Sequence, residues 1–419
     1  MVEQEWSGRA SDVVGLLDIG TSKVACIIAA LEASPQGIRP RVLGVGHMRS
    51  RGLKAGVIVD LSEAEASVRG AIAQAERSAH VTLEEVYVAV SCGRLQSSNF
   101  AASVDVPAGI VQGGDIERLL SGARSWAERD GRMLIHLNRL GFRLDGVAGA
   151  DDPRGMAAKR LSADLHTVGA DEAPVRNLLH VVERCYLSVR ALVATPYASA
   201  IAATTEEERR LGVTCIDIGG GTATVAVFAD SHFIHATAVP VGGHYVTVDI
   251  AHALQTPLAE AERIKTLYGT MILARSDEHE AFSYALANEE EGARGRSTKA
   301  QLAEVIRPRI AGILGLVGER LDATGVGAYA GDRVVLTGGT SALVGIGEFA
   351  ANTLGRPVRV AKPHQELPHS ISSPAFSTVS GLMAVAASGD EEAVAWSDTH
   401  GGGAGYLDRV GQWLKAGFA

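Results

Sequence analysis

The sequence predicts an α/β fold of two duplicated halves around a shared cleft, with a small α+β insert in the first half. Three stretches predict it. Leu211 to Val227 (LGVTCIDIGGGTATVAV) is an apolar run that reaches Asp217, passes three glycines and resumes as a second β-rich run. Val13 to Ala29 (VVGLLDIGTSKVACIIA) has the same layout about 200 residues earlier, which suggests two related halves facing one ligand. Asp332 to Phe349 (DRVVLTGGTSALVGIGEF) reads as a short buried strand, then Gly338 and Gly339, with Thr340 and Ser341 opening a helix.

Each turn has a chemical reading. A glycine turn carries no side chains that would hold a phosphate away from its backbone N–H groups. Gly219, Gly220, Gly221 and Thr222 supply such a turn in the second half, and Gly20, Thr21, Ser22 and Lys23 supply its counterpart in the first. A carboxylate beside phosphates requires a cation between them. Asp18 and Asp217 are therefore expected to face a Mg²⁺ ion from two sides, acting through water. The hydroxyls of Thr21, Ser22 and Thr222 would grip phosphate oxygens. Lys23 reads equally as a phosphate contact or as a solvated hairpin lysine. Gly338, Gly339 and Thr340 would let the backbone lie against an adenine ring and its ribose. Taken alone, a strand–glycine–strand unit is also an ordinary tight hairpin, and the third motif an ordinary strand–turn–helix. Their recurrence in one chain is what points to ATP.

In this order the three motifs resemble those of the actin/Hsp70/sugar-kinase superfamily, whose halves are ribonuclease H-like. AEAERIKTLYG, with Glu262 and Lys265 one helical turn apart, looks like the helix that touches ribose and base in bacterial actins. DDPRGMAAKRLSADLHTV (Asp151 to Val168), VERCYL (Val182 to Leu187) and the amphipathic C-terminal end narrow the resemblance to the bacterial cell-division family FtsA. It runs from about residue 12 to 386 and resumes in the last fifteen. It implies actin-like domains over 12–95 with 166–203 and over 204–254 with 322–387. It also implies an α+β insert over 96–165 and a small subdomain over 255–321. The family polymerises, uses its insert in contacts with itself and other division proteins, and receives the C-terminal peptide of tubulin-like FtsZ on the small subdomain. Arg294, Arg296, Lys299 and Arg307 there could meet an acidic peptide, or be a solvated face.

Composition bounds the rest. The 419 residues are 46% hydrophobic and 21% charged, enough for more than one domain with a large core. A net charge of −9 without a compensating basic stripe argues against a nucleic-acid partner. The polar first ten residues do not read as a secretory signal, and no apolar run approaches a transmembrane helix. Cys26, Cys92, Cys185 and Cys215 lack CxxC spacing, and three of them sit in strand-like runs. They read as buried free thiols in a reducing cytoplasm.

Along the chain, Ser62 with Glu65 reads as a capping box for a helix through about His80. Within the insert, Phe100–Val106, Met133–Leu137 and Phe142–Leu144 read as short strands. Asp115–Glu128 reads as a helix and Gly146–Gly155 as a loop. Thr205–Arg210 reads as a solvated charge run, Arg275–Arg296 as loop, and Ser297–Leu321 as a long helix kinked at Pro308. Thr195 stands where the chaperone branch carries a glutamate that orients the attacking water. A hydroxyl is a poor general base at neutral pH, so the resemblance implies slow turnover, and no catalytic residue is assigned.

Residues 388–405 are acidic and glycine-rich, a flexible linker. Wound at about 100° per residue, the last stretch puts Tyr406, Leu407, Val410, Trp413, Leu414 and Phe418 within an arc of roughly 140°. Asp408, Arg409, Gln412 and Lys415 fall opposite. This is expected to be a helix on the inner membrane, at the cytoplasmic face of the septum, although such a helix could also pack back on its own core. Competing readings are a sugar kinase or phosphohydrolase, which needs a carboxylate base in the cleft beyond Asp18 and Asp217, which the metal claims; a chaperone, which needs a further domain; and a pilus-assembly relative.

Overall fold

The computed structural model describes residues 12–389, apart from 36, 129–130, 288–292 and 366. The expected membrane helix 406–419 and nearly all of the linker before it lie outside the described residues.

Two sheets carry the duplication. The first runs, in spatial order, Ser188–Ala194, Glu85–Val90, Asp12–Ile19, Lys23–Ser34 and Gly37–Arg49. Its first three strands are parallel and the last two fold back antiparallel. The second repeats that arrangement with Val358–Val360, Val334–Thr337, Val213–Ile218, Ala223–Ala229 and His232–Val239. The central strands are mostly apolar with no alternation of inward and outward residues because both faces are covered, and all of Val213–Ile218, Asp217 included, is buried. One core joins the first sheet to a face of the second through residues such as Leu17, Ile28, Cys215 and Phe228. Another fills the opposite face of the second sheet beneath the long helix Lys299–Thr324.

The insert supplies four strands, Gln96–Asp105, Arg160–Asp171, Arg132–Leu144 and Val147–Ala150, and the helix Gly113–Ala127. Although it leaves the chain from the first half, its strands extend the second sheet. The join is one ladder pair, Thr237 with Gln96. Its far end has its own core around Leu119, Phe142, Leu161 and Leu165. At the near end, Ile135, Val168 and Ala170 belong to the main core.

Several local expectations are corrected. The helix Leu61–Ala79 is capped by Asp60, whose carboxylate accepts from the Ser62 and Glu63 N–H groups, so Ser62 lies inside the first turn. Glu65 pairs instead with Arg69 and Arg184. Met133–Leu137 and Phe142–Leu144 are one strand, kept continuous by pairing along Arg160–Asp171, and Val147–Ala150 turns back on it inside the expected loop. Thr205–Arg210 is not simply solvated. Glu208 caps its own helix through Thr205 and is buried against Arg359, an ion pair that overcomes burial and holds its carboxyl down at about 2. The stretch expected as loop from Arg275 contains a hairpin, Ala281–Ala285 with Arg294–Thr298, over which Tyr268 stacks on Phe282 at 4.5 Å. Lys299 pairs with Glu280, and Arg307 donates to the Met271 carbonyl. Of the thiols, Cys26 and Cys215 lie in strands, Cys92 follows one and Cys185 caps a helix. All four are free, and all but Cys185 are buried. No helix among the described residues is long and apolar enough to cross a membrane.

Candidate functional site

The two glycine hairpins point at each other across a cleft of about 360 Å³ between the halves. In each, the turn closes with the same bond, Gly20 N–H to the Lys23 carbonyl at 3.0 Å and Gly219 N–H to the Thr222 carbonyl at 2.9 Å. The tips touch. A Cβ on Gly220 would lie 1.8 Å from the Ser22 hydroxyl, and one on Gly221 would lie 2.2 Å from that of Thr21. Any side chain at either position would push the facing Ser22 and Thr21 aside.

The third motif abuts the second hairpin. Gly338 has φ +87°, and a Cβ there would sit 2.1 Å from an Asp217 oxygen. Thr340 donates its hydroxyl to the Gly219 carbonyl at 3.1 Å. It does not open a helix, because Gly339–Ala342 is one 3₁₀ turn and the helix begins at Ile346. A Cβ on Gly339 would meet only Ala375 Cβ, in ordinary contact at 3.6 Å. On the facing helix Leu258–Tyr268, Lys265 donates to Glu262 at 2.7 Å and to Thr247 at 2.8 Å, and Thr247 donates to Glu262. Burial would raise the Glu262 carboxyl, but Lys265 holds it below the usual range.

The residues that the sequence assigns to nucleotide and metal all line this one cleft: Asp18, Gly20, Thr21, Ser22, Lys23, Asp217, Gly219, Gly220, Gly221, Thr222, Glu262, Lys265, Gly338, Gly339 and Thr340. Thr195 lines it as well. Lys23 is no solvated hairpin lysine. Its ammonium reaches across to the Ala375 carbonyl and lies 4.4 Å from the Phe376 ring centre.

The electrostatics are those of charges held out of water. Burial pushes the Asp18 carboxyl up to about 6, with Lys23 opposing the shift and Asp217 reinforcing it. Asp217 is also raised by burial, against hydrogen bonds from Ser199 and Thr378 and the charge of Lys23. Lys23 is lowered by burial, against both carboxylates. Two buried carboxylates facing one cleft suit a hard divalent cation whose remaining ligands are water and phosphate. No group of three or more His, Cys, Asp or Glu among the described residues could hold a metal without such help.

Ser199, Thr378, Ser91 and Thr224 were not anticipated. Ser199 follows Thr195 by one helical turn, a spacing that places both on one face. Thr378 carries no local signal, since only the packing of the closing helix Ser377–Ser388 brings it to Asp217.

Comparison with known proteins separates the members of this superfamily. Residues 214–381 match the family model described as cell division protein FtsA, and residues 92–169 the model described as the SHS2 domain inserted in FtsA. Cell division protein FtsA of Agrobacterium fabrum is 38% identical over 426 residues, covering 98% of this chain and 96% of the relative. The chain belongs to the FtsA family. FtsA of Pseudomonas aeruginosa is 32% identical, covering 97% of this chain and 98% of its own length. Among solved structures, a PilM–PilN type IV pilus biogenesis complex aligns at TM-score 0.62 and 16% identity, covering 90% of this chain and 98% of that one. MreB5 of Spiroplasma citri bound to ADP aligns at 0.50 and 14%, covering 90% and 97%. At such identities these likenesses speak for the fold alone, which is actin-like. FtsA membership also weighs against the kinase, chaperone and pilus readings.

Proposed function

We propose that this FtsA-family protein binds MgATP in the cleft and uses it as an assembly switch, polymerising and tethering FtsZ filaments to the inner membrane through residues 406–419. The observation that carries the nucleotide reading is the contact of the two hairpin tips. A phosphate chain gripped by both would report whether the halves are closed. Asp18 and Asp217 would hold Mg²⁺ through water, and the ion would neutralise phosphate charge. Thr21, Ser22, Thr222 and the backbone of Gly219–Gly221 would take the phosphates. Gly338, Gly339 and Thr340 would take the adenosine, with Glu262 and Lys265 at the ribose and base. The small subdomain 255–321 would receive the FtsZ peptide.

Gly339→Val tests the adenosine placement. A Cβ there meets only Ala375, in ordinary contact at 3.6 Å, so the fold should persist while ATP affinity falls at least about tenfold. Gly338→Ala should instead destabilise the fold, because its Cβ meets Asp217 and the backbone is left-handed. Calorimetric titration with melting curves separates the two. Unchanged ATP binding by Gly339→Val would refute the adenosine site.

Turnover should be slow. With Thr195 at the position of the water-orienting glutamate, purified protein should release phosphate far below the enzyme median of ~10 s⁻¹. Brisk release abolished by Asp217→Ala would favour an enzyme over a switch.

A further inference from the structure

We propose that the insert sets the position of the Thr195 wall of the cleft through His136, making this histidine a positioning residue that couples the insert to whatever the cleft holds. His136 lies on the insert strand Arg132–Leu144 and is wholly buried. Its Nε2 accepts the backbone N–H of Ala194 at 2.8 Å. Ala194 ends the edge strand of the first sheet, whose inner side is paired with Glu85–Val90. An edge amide turned into protein needs an acceptor, and the insert provides it. The next residue, Thr195, lines the cleft.

Beyond Thr195 the same helix is a short lever. Tyr197 packs its ring 5.0 Å from that of His136 and 5.0 Å from Phe233. One turn after Thr195, Ser199 donates to Asp217. Thr195–Ala203 is buried except for Ile201, and Gly381 of the closing helix lies so close that a Cβ there would meet the Ala198 carbonyl at 1.8 Å. Such a helix cannot shift at one end alone. A displacement of His136 therefore reaches both Thr195 and the carboxylate of Asp217.

A second observation shows that the imidazole is retained against a cost. With Nε2 accepting, the ring proton sits on Nδ1, and that atom is buried without a hydrogen-bond partner. An aliphatic residue would avoid this orphan but would leave the Ala194 N–H unpaired. Burial holds His136 neutral, its pKa pushed down to about 3, so the acceptor persists at any physiological pH. The surroundings transmit rather than absorb. His166 beside it is fixed by Ser97 and Asn138, and Ser97 also bonds the backbone of Ala236 in the second sheet. Insert, first half and second half thus meet around one histidine.

The nucleotide readout rests on the ATP reading above; the exchange readout does not. Glutamine can place an acceptor where Nε2 lies, and leucine cannot. His136→Leu should weaken MgATP binding about tenfold, and His136→Gln should restore it nearly to wild type. Without nucleotide, His136→Leu should speed amide hydrogen exchange over 194–203 while the core of the small subdomain is unchanged. In wild-type protein, MgATP should slow exchange in Arg132–Leu144 by reciprocity, a readout that stands if His136→Leu fails to fold. Equal affinity and equal exchange in His136→Leu and wild type would overturn the proposal, as would a glutamine variant as impaired as leucine. A wild type that binds no ATP would refute the nucleotide reading, leaving the apo exchange comparison to decide the coupling.

Discussion

Truncation after Gly401 should release the protein from anionic liposomes while ATP binding is unchanged. Trp and Tyr on the apolar arc suit the membrane interface, and Arg409 and Lys415 on the other side suit anionic headgroups. A flexible linker over 388–405, as the composition predicts, would have an r.m.s. reach of about 23 Å, enough to leave the body. One such helix would bind weakly. A filament presenting many would gain on the order of 100-fold or more through avidity, and truncation would forfeit all of it. Trp413→Glu should do the same with the chain length intact. Co-sedimentation with and without ATP measures both variants. Undiminished pelleting of the truncated protein would make the helix an internal packing element and place the tether elsewhere.

Asp18→Asn should stabilise the protein without nucleotide and weaken the magnesium dependence of ATP binding, with Asp217 still facing the ion. The Asp18 carboxyl is raised to about 6 chiefly by burial, from an ordinary 3.8. A carboxyl raised in the folded state contributes stability that is full below its unfolded pKa and lost as pH climbs through the folded one. From about pH 4 to 6 the nucleotide-free protein should therefore soften, by on the order of 3 kcal/mol from this group. Asparagine removes the loss, so the variant should melt several degrees higher at pH 7.5 and show little change over that window. A bound divalent cation would favour the ionised carboxylate, so MgATP should release a proton near pH 6 and raise the wild-type melting temperature more at pH 7.5 than at pH 5. Melting curves across pH, with and without MgATP, test both parts. A wild-type MgATP shift that ignores pH would remove Asp18 from the metal.

The hairpins were legible because their signal is local. Asp18–Ile19–Gly20 and Asp217–Ile218–Gly219 are contiguous, and a strand that is buried on both faces advertises itself as an apolar run. Thr340 was half legible. Its place in the cleft followed from the glycines before it, but the 3₁₀ turn did not, because its hydroxyl is drawn to Gly219, far away in the chain. Lys23 stayed ambiguous for a similar reason. Its partner, the Ala375 carbonyl, lies 352 residues on. The cap at Asp60 was misread because Ser62 and Asp60 are both good capping residues, and only backbone geometry selects between them.

The sequence by itself determined the duplication, the glycine turns, the two cleft carboxylates and the amphipathic pattern of the tail, all features of composition and short-range period. The tertiary structure decided how they are held. It placed Ser199 and Thr378 on Asp217, brought the closing helix to the first sheet, and joined the insert to the second sheet while His136 reaches the edge of the first. Those contacts are long-range, and each is fixed by which faces remain to be covered once the two sheets have formed. A serine, a threonine or a histidine looks the same in sequence whether it ends in solvent or against a buried carboxylate or amide, and only packing distinguishes the two.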